Sequence, residues 1–234
     1  MIYAHIMAGG VGKRMGNTPL PKQFLKLGSK PIIIHTVEKF ILNDQFEMVI
    51  ISTPKSWIEY TKEILKKYHV SDHRIRVIEG GAERNDTLEK AISFISETNG
   101  IKEVDSIVVH DAVRPFVSKR IIDENIKALK SYSAVDTVIP AFDTIVSGNG
   151  MEVSEIPDRD SMYQGQTPQS FNILQFINSY SKLSSEQKAT LTDSAKIILL
   201  SGDRVAMVPG ELSNMKVTTP YDLKIANAIL SEGH

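Results

Sequence analysis

Short runs of β-branched and other apolar residues alternate with longer amphipathic segments, and this alternation restricts the fold more than any other feature. Six short runs predict buried strands: 2–7, 48–53, 75–79, 106–110, 134–139 and 204–208. Five longer segments, with apolar residues three or four apart, predict helices: 32–42, 57–68, 87–98, 118–130 and 220–230. The order predicts an α/β fold with a doubly wound, mostly parallel, Rossmann-like sheet that binds ligands at the carboxyl ends of its strands.

One stretch, residues 142–156, interrupts the alternation. It contains DTIV, SGNG and MEVSEI, which predict two short strands around a Gly-Asn-Gly turn. Such a β-hairpin is either a surface excursion or an arm that contacts a second subunit, because exposed strands tend to find partners. The 234 residues, 41% of them hydrophobic, can bury a substantial core. We expect a single domain over 1–234, with the β-arm at about 140–163.

Charge and composition narrow the function classes. The 27 basic and 28 acidic residues nearly balance, so no overall field favours nucleic acid and an anion must be held by a local cluster. The absence of cysteine excludes disulfides, thiolate metal sites and cysteine nucleophiles. No apolar stretch approaches membrane-spanning length, and the N-terminus has no signal-peptide pattern. We therefore expect a cytoplasmic protein that binds neither nucleic acid nor membrane.

A glycine-rich, basic loop follows the first predicted strand. It reads AGGVGKRMG, from Ala8 to Gly16, and Lys22 follows in the string PKQ. Glycines let backbone amides approach an anion closely, and Lys13, Arg14 and Lys22 add positive charge beside them. The phosphates of a nucleoside triphosphate need both N–H donors and charge neutralisation. The loop therefore predicts a phosphate-binding site.

Three other interpretations of this loop are a dinucleotide fingerprint, a Walker loop and a plain turn. A dinucleotide site has G-x-G-x-x-G and an acidic residue after the second strand. Here the glycines are Gly10, Gly12 and Gly16, and Glu38 lies in a helical pattern. No Walker string occurs at a strand end, and a turn with incidental surface lysines does not easily account for the segment 21–23. An NAD oxidoreductase and a catalytically silent nucleotide sensor are the rival functions.

Two further loops at predicted strand ends carry polar and charged residues. The first, EGGAERNDT at 79–87, predicts an anion- or base-recognition loop, although a well-capped helix start would explain it equally. The second, VHDAVRP at 109–115, places Asp111 directly after an apolar strand, where it suits a ribose hydroxyl or a metal on the phosphates. The alternative is a surface ion pair of Asp111 with Arg114.

Three late segments are polar. Residues 157–159 (PDR) follow the hairpin, and QGQTPQ at 164–169 predicts a turn-rich loop for hydrogen-bond recognition. The string NMKVTTP at 214–220 predicts a short strand that ends at a helix start, with Pro220 at the first helical position. Lys216 lies on that predicted strand, where a lysine is more often an edge residue than a ligand.

Together, these motifs resemble the sugar-alcohol phosphate cytidylyltransferases. The resemblance rests on AGGVGKRMG, PKQF, GGAERND, VHDAVRPF, QTPQSF and NMKVTTPYDL, in this order, between residue 6 and about residue 230. Two branches share the pattern: the ribitol-5-phosphate cytidylyltransferases of teichoic acid synthesis and the 2-C-methyl-D-erythritol 4-phosphate cytidylyltransferases of isoprenoid synthesis. The ribitol branch is favoured by MYQGQTPQSF, by Gly9, where the other branch usually has alanine, and by Ser194 in LTDSAKI, where it commonly has an acidic residue.

This resemblance implies a fold of the nucleotide-diphospho-sugar transferase type and a homodimer formed through the 140–163 arm. It implies Mg²⁺ carried with CTP and in-line attack of the polyol phosphate on the α-phosphorus. The products expected are CDP-ribitol, for the teichoic acid of the cell wall, and pyrophosphate. No general base is needed, because the acceptor phosphate is already ionised at neutral pH. An association with a reductase that forms ribitol phosphate is left open.

The resemblance also implies roles for individual residues. Arg14 and Lys22 would stabilise the transition state and the departing pyrophosphate, and Arg159 and Lys216 would orient the attacking phosphate. The implied nucleotide-binding residues are Met7, Ala8, Gly9, Gly10, Val11, Gly12, Gly80, Gly81, Ala82, Glu83, Arg84, Asn85, Thr87, Asp111, Ala112 and Arg114. The implied acceptor-binding residues are Arg159, Thr167, Thr192 and Lys216, and the implied metal ligand is Asp111.

Overall fold

The computed structural model of the protein describes residues 1–10, 13–16, 18–189, 191 and 193–232. Its strands are β1 (Ile2–Met7), β2 (Lys26–Leu27), β3 (Lys30–Pro31), β4 (Phe46–Thr53), β5 (Ile75–Glu79), β6 (Ser106–Asp111), β7 (Ala134–Pro140), β8 (Ser147–Gly148), β9 (Val153–Glu155), β10 (Tyr163–Asn172) and β11 (Val205–Pro209). Its helices are α1 (Ile32–Ile41), α2 (Ile58–Lys67), α3 (Arg84–Asn99), α4 (Lys119–Ala128), α5 (Ile173–Ser181), α6 (Ser185–Ala189), α7 (Ala195–Leu200) and α8 (Pro220–Ser231). Short 3-10 turns lie at Lys13–Met15, Lys22–Phe24, Lys55–Trp57 and Arg159–Ser161.

Seven of the strands form one sheet in the order β11-β7-β10-β6-β1-β4-β5. Neighbouring strands are parallel, except that β10 runs antiparallel to both β6 and β7. The pairs β2–β3 and β8–β9 form two small separate sheets. The predicted fold class, a mostly parallel α/β sheet, is confirmed.

All six predicted strands and all five predicted helices are present, with ends that differ by a few residues. The helix α3 begins at Arg84, earlier than expected, because Glu83 and Asp86 form a reciprocal capping box at its first turn. The helix α8 begins at Pro220 as predicted, and the hydroxyl of Thr219 accepts a hydrogen bond from the backbone N–H of Asp222. Local capping therefore fixes two helix starts that border the site described below.

Two predictions about the late segments were wrong. Residues 164–169 are not a loop but part of strand β10, which is buried from Gln166 to Phe171 and whose polar side chains there find partners inside the protein. For example, the Gln166 amide donates to the Glu211 carbonyl and the Ser170 hydroxyl donates to Asn125. Residues 214–219 are not a strand; the Val217 N–H donates to the Val113 carbonyl outside any sheet.

The helices α5, α6 and α7 lie outside the predicted helical segments.

The core lies on both faces of the sheet, because successive strand residues point to opposite sides. One face buries Ala4, Ile6, Val49, Ile51 and Val108 against α1, α2 and α4. The other face buries Tyr3, Met48, Ile50, Ile107 and Val109 against α3, α5 and α7. The strands are apolar on both sides for this reason, which is the pattern expected of a parallel sheet covered by helices.

The predicted hairpin is present as β8 and β9, two short antiparallel strands whose residues are all exposed. Its apolar side chains reach solvent: Val146, Met151, Val153 and Ile156 are all more than half exposed. Across the described part of the chain, the helices are too short or too polar to cross a membrane.

Candidate active site

A cavity of about 260 Å³ opens where β1 and β6 end and α3 begins. Its lining comprises Met7, Ala8, Gly9, Gly10, Lys22, Gln23, Gly81, Ala82, Glu83, Arg84, Thr87, Asp111, Ala112, Val113 and Lys216. The cavity lies at the carboxyl ends of parallel strands, the edge at which open α/β sheets bind ligands. Lys22, Arg84 and Lys216 place positive charge on it from three distant parts of the chain.

Lys22 enters the cavity from the short turn that follows the glycine loop. Its side chain is buried, with 8% of the residue exposed, and it passes 3.4 Å from the position that a β-carbon on Gly10 would take. Burial lowers the pKa of its ammonium group, and the charges of Lys216 and Arg14 lower it further, whereas nearby carboxylates raise it. A lysine that is buried among other cations is suited to pair with an anionic ligand.

Gln23 ties the same turn to the glycine loop. Its side-chain amide donates to the carbonyl of Ala8 over 2.7 Å, which holds the turn against the end of β1. Its carbonyl oxygen, Oε1, is buried and has no hydrogen-bond partner among the described residues. Gln23 therefore lines the cavity and also fixes the position of the turn that carries Lys22.

The start of α3, with the residues just before it, forms another wall of the cavity. The Gly81 N–H donates to the Thr87 hydroxyl over 3.0 Å, and Glu83 and Asp86 cap the helix. A β-carbon on Gly81 would collide with Asp86 and would come within 2.7 Å of the backbone nitrogen of Thr87. The close return of the chain onto its own helix therefore requires glycine at this position.

Asp111, the last residue of β6, lies at the centre of the cluster. One carboxylate oxygen accepts from Arg84 over 2.9 Å, and the other lies 3.3 Å from Arg114 Nε and 3.0 Å from Lys216 Nζ. Burial alone would raise the pKa of Asp111, but the charges of Arg84, Lys216 and Arg114 outweigh it and hold the pKa well below its usual range. Asp111 is therefore ionised at any physiological pH.

Thr167 and His110 fix the backbone beneath Asp111. The His110 Nε2 bonds to the Arg114 carbonyl over 3.1 Å, so this nitrogen carries the proton. Burial lowers the pKa of His110 to about 4, which leaves the imidazole neutral and makes Nδ1 an acceptor for the Thr167 hydroxyl, 3.0 Å away. The Asp111 N–H donates to the same hydroxyl over 3.1 Å.

Comparison with known families assigns the chain. A family model described as IspD, 2-C-methyl-D-erythritol 4-phosphate cytidylyltransferase, matches residues 2–232, nearly the whole sequence. The chain belongs to the IspD family. It is therefore a nucleotidyltransferase, an enzyme that uses CTP and a phosphorylated, sugar-like acceptor.

Solved structures with similar folds carry related names. The 4-diphosphocytidyl-2C-methyl-D-erythritol synthase of Anaerococcus prevotii is 28% identical, with a TM-score of 0.81 over 98% of this chain and 96% of that one. The 2-C-methyl-D-erythritol 4-phosphate cytidylyltransferase of Francisella tularensis is also 28% identical, with a TM-score of 0.80 over 97% and 98%. The bifunctional IspDF of Campylobacter jejuni is 26% identical, with a TM-score of 0.76 over 95% of this chain and 53% of that one.

Most of the residues to which the resemblance to sugar-alcohol phosphate cytidylyltransferases gave roles line the cavity or contact its lining. Residues that line it are Met7, Ala8, Gly9, Gly10, Lys22, Gly81, Ala82, Glu83, Arg84, Thr87, Asp111, Ala112 and Lys216. Arg114 and Thr167 do not line the cavity but bond to Asp111, which does. Gly80 and Asn85 are chain neighbours of the lining residues Gly81 and Arg84, and they bond to Thr53 and Ser194. Val11, Gly12 and Thr192 lie outside the described residues.

Two predicted catalytic residues do not line the cavity. Arg14 is exposed, although it is near enough to Lys22 to lower the pKa of that lysine. Arg159 is exposed in the turn after the hairpin and makes no ion pair within the described part of the chain. Sequence motifs could not show this, because they do not report how far a loop extends from the sheet.

Two lining residues, Gln23 and Val113, were absent from the predicted set. Each directly follows a residue of the predicted set in the same motif: Gln23 follows Lys22 in PKQ, and Val113 follows Ala112 in VHDAVRP. Their neighbours carried the only signal that could have identified them.

The residues around the cavity fit a metal that arrives with the nucleotide better than a metal held by the protein. Among the described residues, no group of three or more His, Asp or Glu side chains could hold a metal ion. Two carboxylates, Glu83 and Asp111, line the cavity, and both oxygens of Asp111 already face cations. Mg²⁺ typically keeps waters and phosphate oxygens alongside one or two carboxylates. Asp111 as a single protein ligand remains a proposal.

Proposed function

We propose that this enzyme transfers the cytidylyl group of CTP to D-ribitol 5-phosphate, giving CDP-ribitol and pyrophosphate for the teichoic acid of the cell wall. The observation that supports cytidylyl transfer is the group of cations, Lys22, Arg84 and Lys216, that surrounds Asp111 in a glycine-walled cavity. Such a cluster offers the positive charge and backbone donors that a triphosphate requires.

The reaction needs placement and charge rather than proton transfer. A phosphate oxygen of the acceptor forms a bond to the α-phosphorus of CTP, the bond from that phosphorus to the bridging oxygen breaks, and pyrophosphate leaves with the electron pair. In this proposal, Lys22 and Arg14 bind the leaving phosphates, and Lys216 and Arg159 orient the attacking phosphate. Mg²⁺, when bound with CTP, would neutralise part of the triphosphate charge.

Ser194 supports ribitol 5-phosphate as the acceptor. It is fully buried, and its hydroxyl donates to Asn85 Oδ1 over 2.9 Å, in the first turn of α3. The methylerythritol branch commonly has an acidic residue at this position, and an ionised carboxylate cannot donate to that oxygen. The Asn85 amide would have to reverse its orientation, so the two branches differ directly behind the cavity, next to the lining residue Arg84. Gly9 is weaker support, because a β-carbon there would touch nothing within 4 Å.

The second candidate acceptor is 2-C-methyl-D-erythritol 4-phosphate. The family model and the similar solved structures carry this name, and they give no support to ribitol. The same cations around Asp111 would serve either acceptor, because both present a phosphate to the α-phosphorus of CTP. The charge cluster therefore supports transfer from CTP without distinguishing the two polyols.

A homodimer formed through residues 140–163 is part of the proposal. The exposed apolar side chains of this arm support it, because such a patch on a soluble enzyme often marks an interface. Arg159 lies within the arm and outside the cavity, so its proposed role requires either a second copy of the chain or a movement of this segment. A reductase that supplies ribitol phosphate is a further proposed partner.

The acceptor can be tested by competition. The purified enzyme is incubated with CTP and equal concentrations of the two polyol phosphates, and the products are separated and identified by mass spectrometry. The proposal expects CDP-ribitol as the main product. If CDP-methylerythritol is the main product, the second candidate replaces ribitol 5-phosphate as the acceptor. If neither product forms, cytidylyl transfer to these polyol phosphates is rejected.

A further inference from the structure

Gln169 is a buried polar residue that borders the cavity without lining it. It lies in β10, is 1% exposed, and pairs directly with Asp136 of the neighbouring strand β7. The mechanism above gives it no part. Its side chain nevertheless makes three hydrogen bonds to charged groups, an unusual concentration for one uncharged amide.

Two carboxylates fix which way the Gln169 amide faces. Its nitrogen, Nε2, donates to Asp136 over 3.0 Å and to Asp193 over 2.7 Å. Ionised carboxylates only accept hydrogen bonds, so the nitrogen must face them and the oxygen must face the other way. Neither Asp136 nor Asp193 makes an ion pair with any residue that the structure describes. The two carboxylates are therefore linked through one donor, the side-chain nitrogen of Gln169.

The oxygen of the same amide faces Arg84. The Arg84 Nη2 donates to Gln169 Oε1 over 3.3 Å, while its Nη1 donates to Asp111 over 2.9 Å. Arg84 lines the cavity and belongs to the first turn of α3. Its guanidinium group is thus held at two points, once by the central carboxylate and once by Gln169.

We propose that Gln169 is a positioning residue, which holds Arg84 at the cavity in the orientation that Asp136 and Asp193 impose on its amide. This inference rests on the proposed use of CTP, since Arg84 belongs to the loop expected to bind the nucleotide. The chemistry of the side chain explains why glutamine suits the position. A glutamate would accept from Arg84 but repel both carboxylates, and an apolar residue would leave the carboxylates and the guanidinium without this partner.

Asp136 shows that the arrangement is under electrostatic stress. Its pKa is raised to about 6: burial is the main cause and the charge of Asp193 adds to it, whereas the hydrogen bond from Gln169 and the charge of Arg84 act in the opposite direction. Replacing both carboxylates by amides should therefore relieve repulsion and leave the fold at least as stable. It should also free the Gln169 amide to turn, because asparagine can either donate or accept.

Two sets of variants test the proposal by pyrophosphate release and thermal unfolding. Gln169→Met keeps the side-chain volume and removes the acceptor for Arg84, and it should raise the KM for CTP about tenfold, with a smaller effect on kcat. Arg84→Met/Gln169→Met should have the same KM as Arg84→Met alone, because Gln169 acts through Arg84. The Asp136→Asn/Asp193→Asn variant should raise the KM for CTP while its Tm stays equal or increases.

Each outcome decides a different claim. An unchanged KM for CTP in active, folded Gln169→Met, or additive effects in the double variant, would overturn the positioning role. If Gln169→Met does not fold, the Asp136→Asn/Asp193→Asn variant decides: a wild-type KM there overturns the proposal, and a raised KM with an undiminished Tm supports it. Failure of the proposed function would appear separately, as wild-type enzyme that releases no pyrophosphate from CTP.

Discussion

The ammonium group of Lys216 lies 3.0 Å from the carboxylate of Asp111, although the two residues belong to separate parts of the chain. Asp111 ends β6, whereas Lys216 lies in the irregular segment between β11 and α8. Arg84 and Arg114 approach the same carboxylate. One negative charge offsets three positive charges only in part, so the cluster keeps an excess positive charge that suits phosphate groups.

Lys22→Met should abolish most activity without weakening the fold. Because burial and neighbouring cations lower the pKa of Lys22, its charged form costs stability in the folded protein, and an uncharged side chain of similar length removes that cost. We expect kcat to fall by about a hundred to a thousandfold and Tm to stay equal or increase. The control is Lys26→Met at an exposed position nearby, which should keep both values. Wild-type turnover by Lys22→Met would remove this lysine from the mechanism.

Asp111→Asn should destabilise the protein by about 3–5 kcal/mol at pH 7, because three cations lose a buried counter-ion. The pKa of Asp111 in the folded chain is far below its unfolded value of about 3.9, so its stabilisation is complete above about pH 4 and is lost as the pH falls below that value. Urea unfolding at pH 7 and pH 3 should show a smaller difference from wild type at pH 3. The exposed Asp143→Asn is the control, and equal stability of all three proteins at pH 7 would contradict the account.

Gly81→Ala and Gly9→Ala form a matched pair within one cavity. A β-carbon on Gly81 would meet the backbone of Asp86 at 2.6 Å, whereas one on Gly9 would meet nothing within 4 Å. We expect Gly81→Ala to lose about 1–3 kcal/mol of stability and to bind CTP more weakly, while Gly9→Ala keeps wild-type stability. Denaturant unfolding and CTP titration measure both effects. Equal stability of the two variants would mean that the start of α3 can move aside.

The arm should hold two subunits together. Val153 and Ile156 are 61% and 62% exposed on the hairpin, so charged residues there would not disturb a single chain but would prevent apolar contact between chains. Light scattering should give the wild type twice the 26.0 kDa mass of the chain, and Val153→Asp/Ile156→Asp the mass of one chain. A monomeric wild type, or a variant that stays dimeric, would exclude this interface.

The fold could be predicted largely because its parallel strands are continuous apolar runs. Strand β10 could not be predicted, because its sequence, YQGQTPQSFN, has the composition of a loop. It is buried because side chains such as Thr167 and Gln169 bond to partners on other elements, which local sequence patterns do not report. The prediction for residues 214–219 was wrong for the opposite reason. Their β-branched residues predicted a strand, but the backbone here forms a hydrogen bond, from Val217 to Val113, outside any sheet.

The site could be predicted where a motif ends a strand, as at Asp111, because strand ends meet at one edge of the sheet. It could not be predicted where function depends on long-range contacts. Arg159 was expected to act together with the cavity residues but lies outside the cavity. Gln169 contacts Arg84 only because β10 runs between β6 and β7.

The most direct test of the account is steady-state pyrophosphate release by the purified enzyme with CTP, Mg²⁺ and each polyol phosphate in turn. We expect turnover that requires both CTP and an acceptor, with the higher kcat/KM for D-ribitol 5-phosphate. A higher kcat/KM for 2-C-methyl-D-erythritol 4-phosphate would contradict the proposed acceptor. If neither polyol phosphate gave pyrophosphate release, the assignment of the enzyme to polyol phosphates would be contradicted.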